Sequence, residues 1–176
     1  LKIGVLCNNA NYDGMTVFGD PAEAALIVAA AKGGMQKHEI ERLYPRKAEI
    51  PFSSERKRMT TIHNTPDGHR IAYMKGSPET VLQLCEHVYQ NRREIKLSKK
   101  SGDEIISKNE KMANRALRVL GMAYKVIPAQ LTEFSEGSVE SNFIFVGLVG
   151  MIDPPREEAK EAVTLCEQAG IKTVMI

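Results

Sequence analysis

Cysteine is scarce in this sequence, and a long hydrophobic run is missing from it. The three cysteines, Cys7, Cys85 and Cys166, are odd in number and far apart, with no Cys-x-x-Cys pair. That spacing argues against a disulfide framework and reads as reduced, buried thiols in a cytosolic setting. The longest apolar stretch, residues 143–152, is about half the ~20 residues that a membrane helix needs. The opening residues Leu1 to Asn9 have too short an apolar run for a signal peptide, and no small-residue cleavage site follows. Neither sign of charge dominates: 24 Lys+Arg against 22 Asp+Glu leave a net charge of +2. A polybasic nucleic-acid tail and an acidic solvating segment are both excluded as the main theme. The phosphate-cradling patterns Gly-x-x-x-x-Gly-Lys and Gly-x-Gly-x-x-Gly are absent, as are His-Glu-x-x-His and Gly-x-Ser-x-Gly. His38, His63, His69 and His87 fall in different elements without metal-ligand spacing and read as structural or exposed histidines. No internal repeat or low-complexity tract is evident.

What is present is the composition of an ordinary soluble globular protein, 176 residues with 43% hydrophobic and 26% charged. A chain of this length buries roughly two-thirds of its unfolded surface, and suits one domain or one domain plus a fragment. Asp20-Pro21-Ala22-Glu23 opens a helix. Asp20 can cap it, Pro21 suits its first position, and Glu23 sits where a capping-box carboxylate belongs. The helix former-rich residues 22–31 continue it, and Gly33-Gly34 stops it. A second helix is expected over 35–43, before Pro45. Residues 48–53 and 56–63 read as strands, and 64–68 (Asn-Thr-Pro-Asp-Gly) is turn chemistry returning the chain as a hairpin strand over 69–75. Ser77 caps a further helix with Pro78 at its first position, and Val81, Leu82, Cys85 and Val88 mark its buried side. Ile105, Asn109, Met112 and Ala116 recur at helical spacing, residues 119–127 form a strand ended by Pro128, and 129–142 is a polar Ser/Glu/Gly-rich loop.

The last third is different. Residues 143–151 are a near-continuous apolar run, as in a strand covered on both faces. Asp153-Pro154-Pro155-Arg156 breaks it, a helix follows over 157–169, and 171–176 is again apolar. The pattern alone describes a β–α–β unit, and ligands in such sheets gather beyond the carboxyl ends of the strands. The chain stops at such an end, which implies a fragment.

Short segments carry the reading further. Gly19-Asp-Pro-Ala-Glu-Ala-Ala-Leu26, Phe52-Ser-Ser-Glu-Arg-Lys-Arg-Met59 and Lys75-Gly-Ser-Pro-Glu79 are followed by Arg118-Val-Leu120 and Gly150-Met-Ile-Asp-Pro-Pro-Arg156. In this order and spacing the chain resembles the P-type cation-transporting ATPases, in the calcium and sodium/potassium pump branch. The resemblance covers essentially the whole chain. It implies an α+β fold, mainly an antiparallel sheet flanked by helices: the nucleotide-binding domain over 1–152. Residues 153–176 would be the hinge and a helix-strand stub of the phosphorylation domain. No Asp is followed by Lys, so the family's phosphorylation motif Asp-Lys-Thr-Gly-Thr is absent. The implied protein holds ATP but cannot itself be phosphorylated, and has no catalytic or metal-ligating residue of its own.

The resemblance also assigns residues. Phe52 would stack on adenine, or else be a core aromatic. Lys75 would lie deep in the pocket, or else be a solvated edge lysine, and Gly76 permits close backbone approach. Glu23 would accept from the adenine amino group, against the plain alternative of supporting its own helix start. Lys57, Met59 and Arg118 would line the pocket, with Arg118 best suited to a phosphate. Leu120 would be an apolar wall, although strand packing explains it equally well. Asp153, Pro154, Pro155 and Arg156 would form a stiffened hinge. Ser54 stands where some relatives carry arginine near the phosphates, so adenine contacts should dominate affinity. The implied partners are ATP, with Mg²⁺ in the intact pump, and the pump's phosphorylation and actuator domains. Nucleic acid is not among them, membrane contact comes only through transmembrane parts outside this chain, and the fragment is expected to be a monomer on the cytoplasmic face. Two alternatives from other classes are a nucleic-acid module using Arg56-Lys-Arg58 and the cations between Arg92 and Lys100, and a small phosphotransferase.

Overall fold

A computed structural model describes residues 1–12, 15–152 and 156–174. The chain opens with helix α1 (Lys2–Leu6), then a two-stranded hairpin of β1 (Asn11–Tyr12) and β2 (Val17–Phe18). Helices α2 (Pro21–Lys32) and α3 (Lys37–Leu43) come next. Strands β3 (Arg46–Ser53), β4 (Arg58–Asn64) and β5 (Arg70–Gly76) form an antiparallel meander. After α4 (Pro78–Gln83) come the hairpin β6 (Cys85–Gln90) and β7 (Arg93–Lys96), helix α5 (Lys99–Ala113) and strand β8 (Arg118–Ile127). The short helix α6 (Glu136–Val139), strand β9 (Phe143–Met151) and helix α7 (Glu157–Gln168) complete the order. The fold is α+β. One seven-stranded sheet runs β3-β4-β5-β8-β9-β6-β7, antiparallel except where β6 meets β9.

The period-2 alternation of strands explains the two cores. On one face, Met59, Tyr73 and Met122 pack under Ile3, Leu6, Cys7 and Leu26 of the α1–α2 layer. On the other, Ile50, Ile62, Met74, Ala123 and Phe145 pack with Val81 of α4 and Val139 of α6. In the register Arg58↔Gly76↔Gly121, Gly76 is squeezed between neighbours. A Cβ there would sit 2.5 Å from the Lys57 carbonyl oxygen and 2.8 Å from Arg58 Cα, so only glycine fits.

Several sequence expectations shift. Asp20 caps α2 by accepting from the amides of Ala22 and Glu23, but Glu23 closes no capping box; its carboxylate turns away to other partners. Helix α4 ends at Gln83, so Cys85 and Val88 lie on β6, where pairing with β9 overrides their helical spacing. Ala116 lies beyond α5 with φ +58°. Residues 171–174 form no strand, so the β–α–β pattern is not completed among the described residues. Cys7 and Cys85 are buried, whereas Cys166 on α7 is only half-buried. Of the hinge residues, Asp153, Pro154 and Pro155 lie outside the described residues, and Arg156 occupies the N-cap position of α7 without a side-chain capping bond.

Candidate functional site

The α1–α2 face of the sheet holds a cavity of about 480 Å³ at the ends of β4, β5 and β8. Strand alternation determines which residues reach it: Met59, Lys75 and Leu120 stand on this face of three adjacent strands. The paired register Met59↔Lys75↔Met122 sets them side by side. The start of α2 contributes Glu23, the end of β3 contributes Phe52, the following turn contributes Lys57, and the first residue of β8 is Arg118. Glu23, Phe52, Lys57, Met59, Lys75, Gly76, Arg118 and Leu120 thus all line one cavity. Asn9, Glu49 and Ser77 also line it, and sequence reading did not single them out for the site. Ser77 follows Lys75 and Gly76 within a motif already quoted, so its place was within reach of the sequence, whereas Asn9 and Glu49 lie in unremarkable local contexts and only the tertiary fold carries them there.

The floor of the cavity is charged. Lys75 is buried and donates to Glu23 Oε1 at 2.6 Å. The other carboxylate oxygen, Oε2, accepts from the Asn9 amide at 2.9 Å. Lys75 is therefore not a solvated edge lysine, since β5 is an interior strand with β4 and β8 on its two sides. Burying an ammonium without a partner is strongly unfavourable, so Glu23 is what permits Lys75 to sit there. A carboxylate offers about four lone-pair directions, and Glu23 retains acceptor capacity toward the cavity.

Phe52 is not a core aromatic. Its side chain is 60% exposed, although it lies on the cavity wall. A ring largely left in water next to a recess offers a stacking surface. Lys57, at φ +52° in the turn, and Arg118 are both exposed at the rim. The Arg118 guanidinium makes no hydrogen bond or ion pair with the described residues, which leaves its donors available. The arrangement is an exposed ring at the mouth, a paired acid and base below, apolar Met59 and Leu120 between them, and free cations at the rim. It can accommodate a flat heterocycle carrying an anionic tail.

Two larger recesses, about 620 and 520 Å³, lie along β9. Neither contains a buried ion pair. No group of three or more His, Cys, Asp or Glu among the described residues is placed to hold a metal. No helix among them is long and apolar enough to cross a membrane. The cations of Arg56 and Arg58 are not free for nucleic acid: both are paired with Glu140, and Arg56 also with Glu136.

The fold is an α+β domain with one recess lined by an acid–base pair and an exposed ring, and comparison with known proteins gives the family. Residues 1–158 match the family described as P-type ATPase, cytoplasmic domain N, and the chain belongs to that family. It is 41% identical over 172 residues to calcium-transporting ATPase 1 of Bacillus cereus, covering 98% of this chain and 19% of that protein. It is 36% identical over 179 residues to human calcium-transporting ATPase type 2C member 1, covering 100% and 18%. It is also 36% identical over 201 residues to potassium-transporting ATPase alpha chain 2 of Rattus norvegicus, covering 99% and 19%. The chain spans about one-fifth of the length of these relatives.

Proposed function

We propose that this chain is the ATP-binding domain of a P-type cation pump, of calcium type, and that the cavity at the ends of β4, β5 and β8 is its ATP site. The observation that carries the reading is the exposed Phe52 ring on the wall of the same cavity whose floor is the Lys75–Glu23 pair. Adenine would stack on Phe52, with Glu23 accepting from its amino group. The phosphates would point toward Lys57, Arg118 and solvent, carrying Mg²⁺ with them. In the intact pump the domain would present the γ-phosphate to an aspartate of the phosphorylation domain, on the cytoplasmic face of the membrane. Its own residues bind and orient the nucleotide; none of them accepts the phosphoryl group. Residues 1–152 would form the nucleotide domain and 153–176 the hinge and start of its neighbour. Calcium as the cargo is favoured by the names of the bacterial relatives, such as that of Bacillus cereus.

Magnitudes rank the contacts. Stacking on an aromatic side chain contributes about 1–3 kcal/mol per base, whereas an exposed ion pair contributes about 0.2–1 kcal/mol. Phe52→Ala should therefore weaken ATP binding about 5- to 150-fold, and Arg118→Ala about fivefold or less. Titrating ATP into the wild type and both variants tests this. Equal affinity of Phe52→Ala and wild type would remove the stacking assignment.

A further inference from the structure

Glu140 lies on the opposite face of the sheet from the cavity, at the end of α6, far in sequence from Phe52. Its side chain is almost completely enclosed, yet it is surrounded by donors. Oε1 accepts from Thr60 Oγ1 at 2.7 Å and from Arg56 Nη1 at 2.9 Å. Oε2 accepts from Arg58 Nε at 2.7 Å. Arg56 and Arg58 flank Lys57, which lines the cavity. The same Arg56 donates through Nη2 to the carbonyl of Pro51, the residue before Phe52, and through its amide to Ser53 Oγ. Arg58 returns a bond from Nη1 to the Arg56 carbonyl at 3.1 Å. The turn is thus fixed from behind at several points. It coincides with the register irregularity of β3 between Ile50 and Ser53, the stretch that contains Phe52.

We infer that Glu140 is a positioning residue for the nucleotide site. By drawing Arg56 and Arg58 to the far face it fixes the β3–β4 turn, so that Phe52 and Lys57 are presented to the cavity. The physical reason is charge. Arg56, Lys57 and Arg58 are consecutive cations whose mutual repulsion disfavours a tight turn. The enclosed Glu140 carboxylate is shared by Arg56 and Arg58 through charge-assisted hydrogen bonds, Glu136 supplies Arg56 with a second anion, and Lys57 is left on the ligand side. A neutral amide at 140 could occupy the same space, but it would set a donor against a guanidinium donor and leave the exposed Glu136 as the carboxylate on Arg56, loosening the arm that restrains Pro51. This inference rests on the nucleotide reading above and adds to it a residue that touches no nucleotide.

The test is a double-mutant cycle on the 176-residue chain, with ATP affinity read by chemical-shift titration and folding checked by circular dichroism melts. The four proteins are wild type, Phe52→Ala, Glu140→Gln and the double variant. Glu140→Gln should weaken ATP about threefold or more, and in the Phe52→Ala background the same change should cost much less, because its effect passes through the ring. If Phe52→Ala itself leaves ATP binding unchanged, the nucleotide reading falls and this inference with it. If Phe52→Ala weakens binding while Glu140→Gln does not, or the two effects are additive, Glu140 has a structural role only and the nucleotide reading stands. Should Glu140→Gln fail to fold, Arg56→Lys keeps the charge and loses the reach to Pro51. The same non-additivity with Phe52→Ala is then expected, and additivity overturns the inference.

Discussion

At the scale of single residues, two side-chain environments make firm demands. Gly76 touches the Lys57 carbonyl and Arg58 so closely that any Cβ displaces backbone rather than a flexible side chain. Gly76→Ala should destabilise by about 1–3 kcal/mol, as overpacking does, with a fall in denaturation midpoint as the measurement. His63 is wholly buried on β4, its Nδ1–H donating to the Tyr44 carbonyl at 2.8 Å. Burial holds its pKa below the usual 6.5, opposed in part by that carbonyl. A depressed folded pKa means that the unfolded chain binds the proton more readily. The contribution of His63 to stability is therefore complete above pH 6.5 and is lost as pH falls toward the folded value. His63→Gln should show a flatter melting temperature than wild type between about pH 7.5 and 5.5; parallel curves would refute this.

At the scale of elements, the segment between β8 and β9 illustrates how a polar sequence acquires order. Residues 129–142 read as a loop, and part of them forms α6, capped by Ser135. Arg70 at the start of β5 fastens the segment, donating to the carbonyls of Leu131 at 2.7 Å, Ala129 at 2.6 Å and Pro128 at 3.1 Å. Its guanidinium also lies over the Phe134 ring, 5.5 Å from the centroid. Hydrogen bonds from a charged donor contribute about 1.5–3 kcal/mol when made. Removing them in Arg70→Ala should raise local opening and speed chymotryptic cleavage at Phe134 about tenfold or more. Unchanged cleavage kinetics would show that the segment is held without Arg70, by contacts such as Glu140 with its arginines and Lys125 Nζ to the Ser141 carbonyl.

For the whole molecule, the sheet with its two helical layers is self-contained, and α7 stands apart from its cores. Apart from the half-buried Cys166, residues 158–168 of the helix are exposed, with Val163 and Leu165 41% and 65% exposed. A shortened chain ending at Ile152 should keep its melting temperature within about 2 °C, because little apolar area leaves water-free packing. Its ATP affinity should stay within about twofold of the 176-residue chain. A large loss of either would merge the last residues with the domain and move the proposed boundary at 153.

Much of this was legible from residue order alone. Capping at Asp20 and Ser77, the 64–68 turn and the strands flanking it depend on local chemistry, and local chemistry is written in short stretches of sequence. The family motifs also drew together the very residues that now line one cavity. Other features needed the folded chain. Cys85 and Val88 continue a helical spacing, but the free edge of β9 takes them as a strand. Glu23 has the position of a capping carboxylate, but a buried ammonium from β5 claims it. The link from Glu140 to Arg56 and Arg58 has no sequence signal at all. Residues far apart in the chain reveal such partnerships only once packing excludes water and each buried charge must find its counterpart.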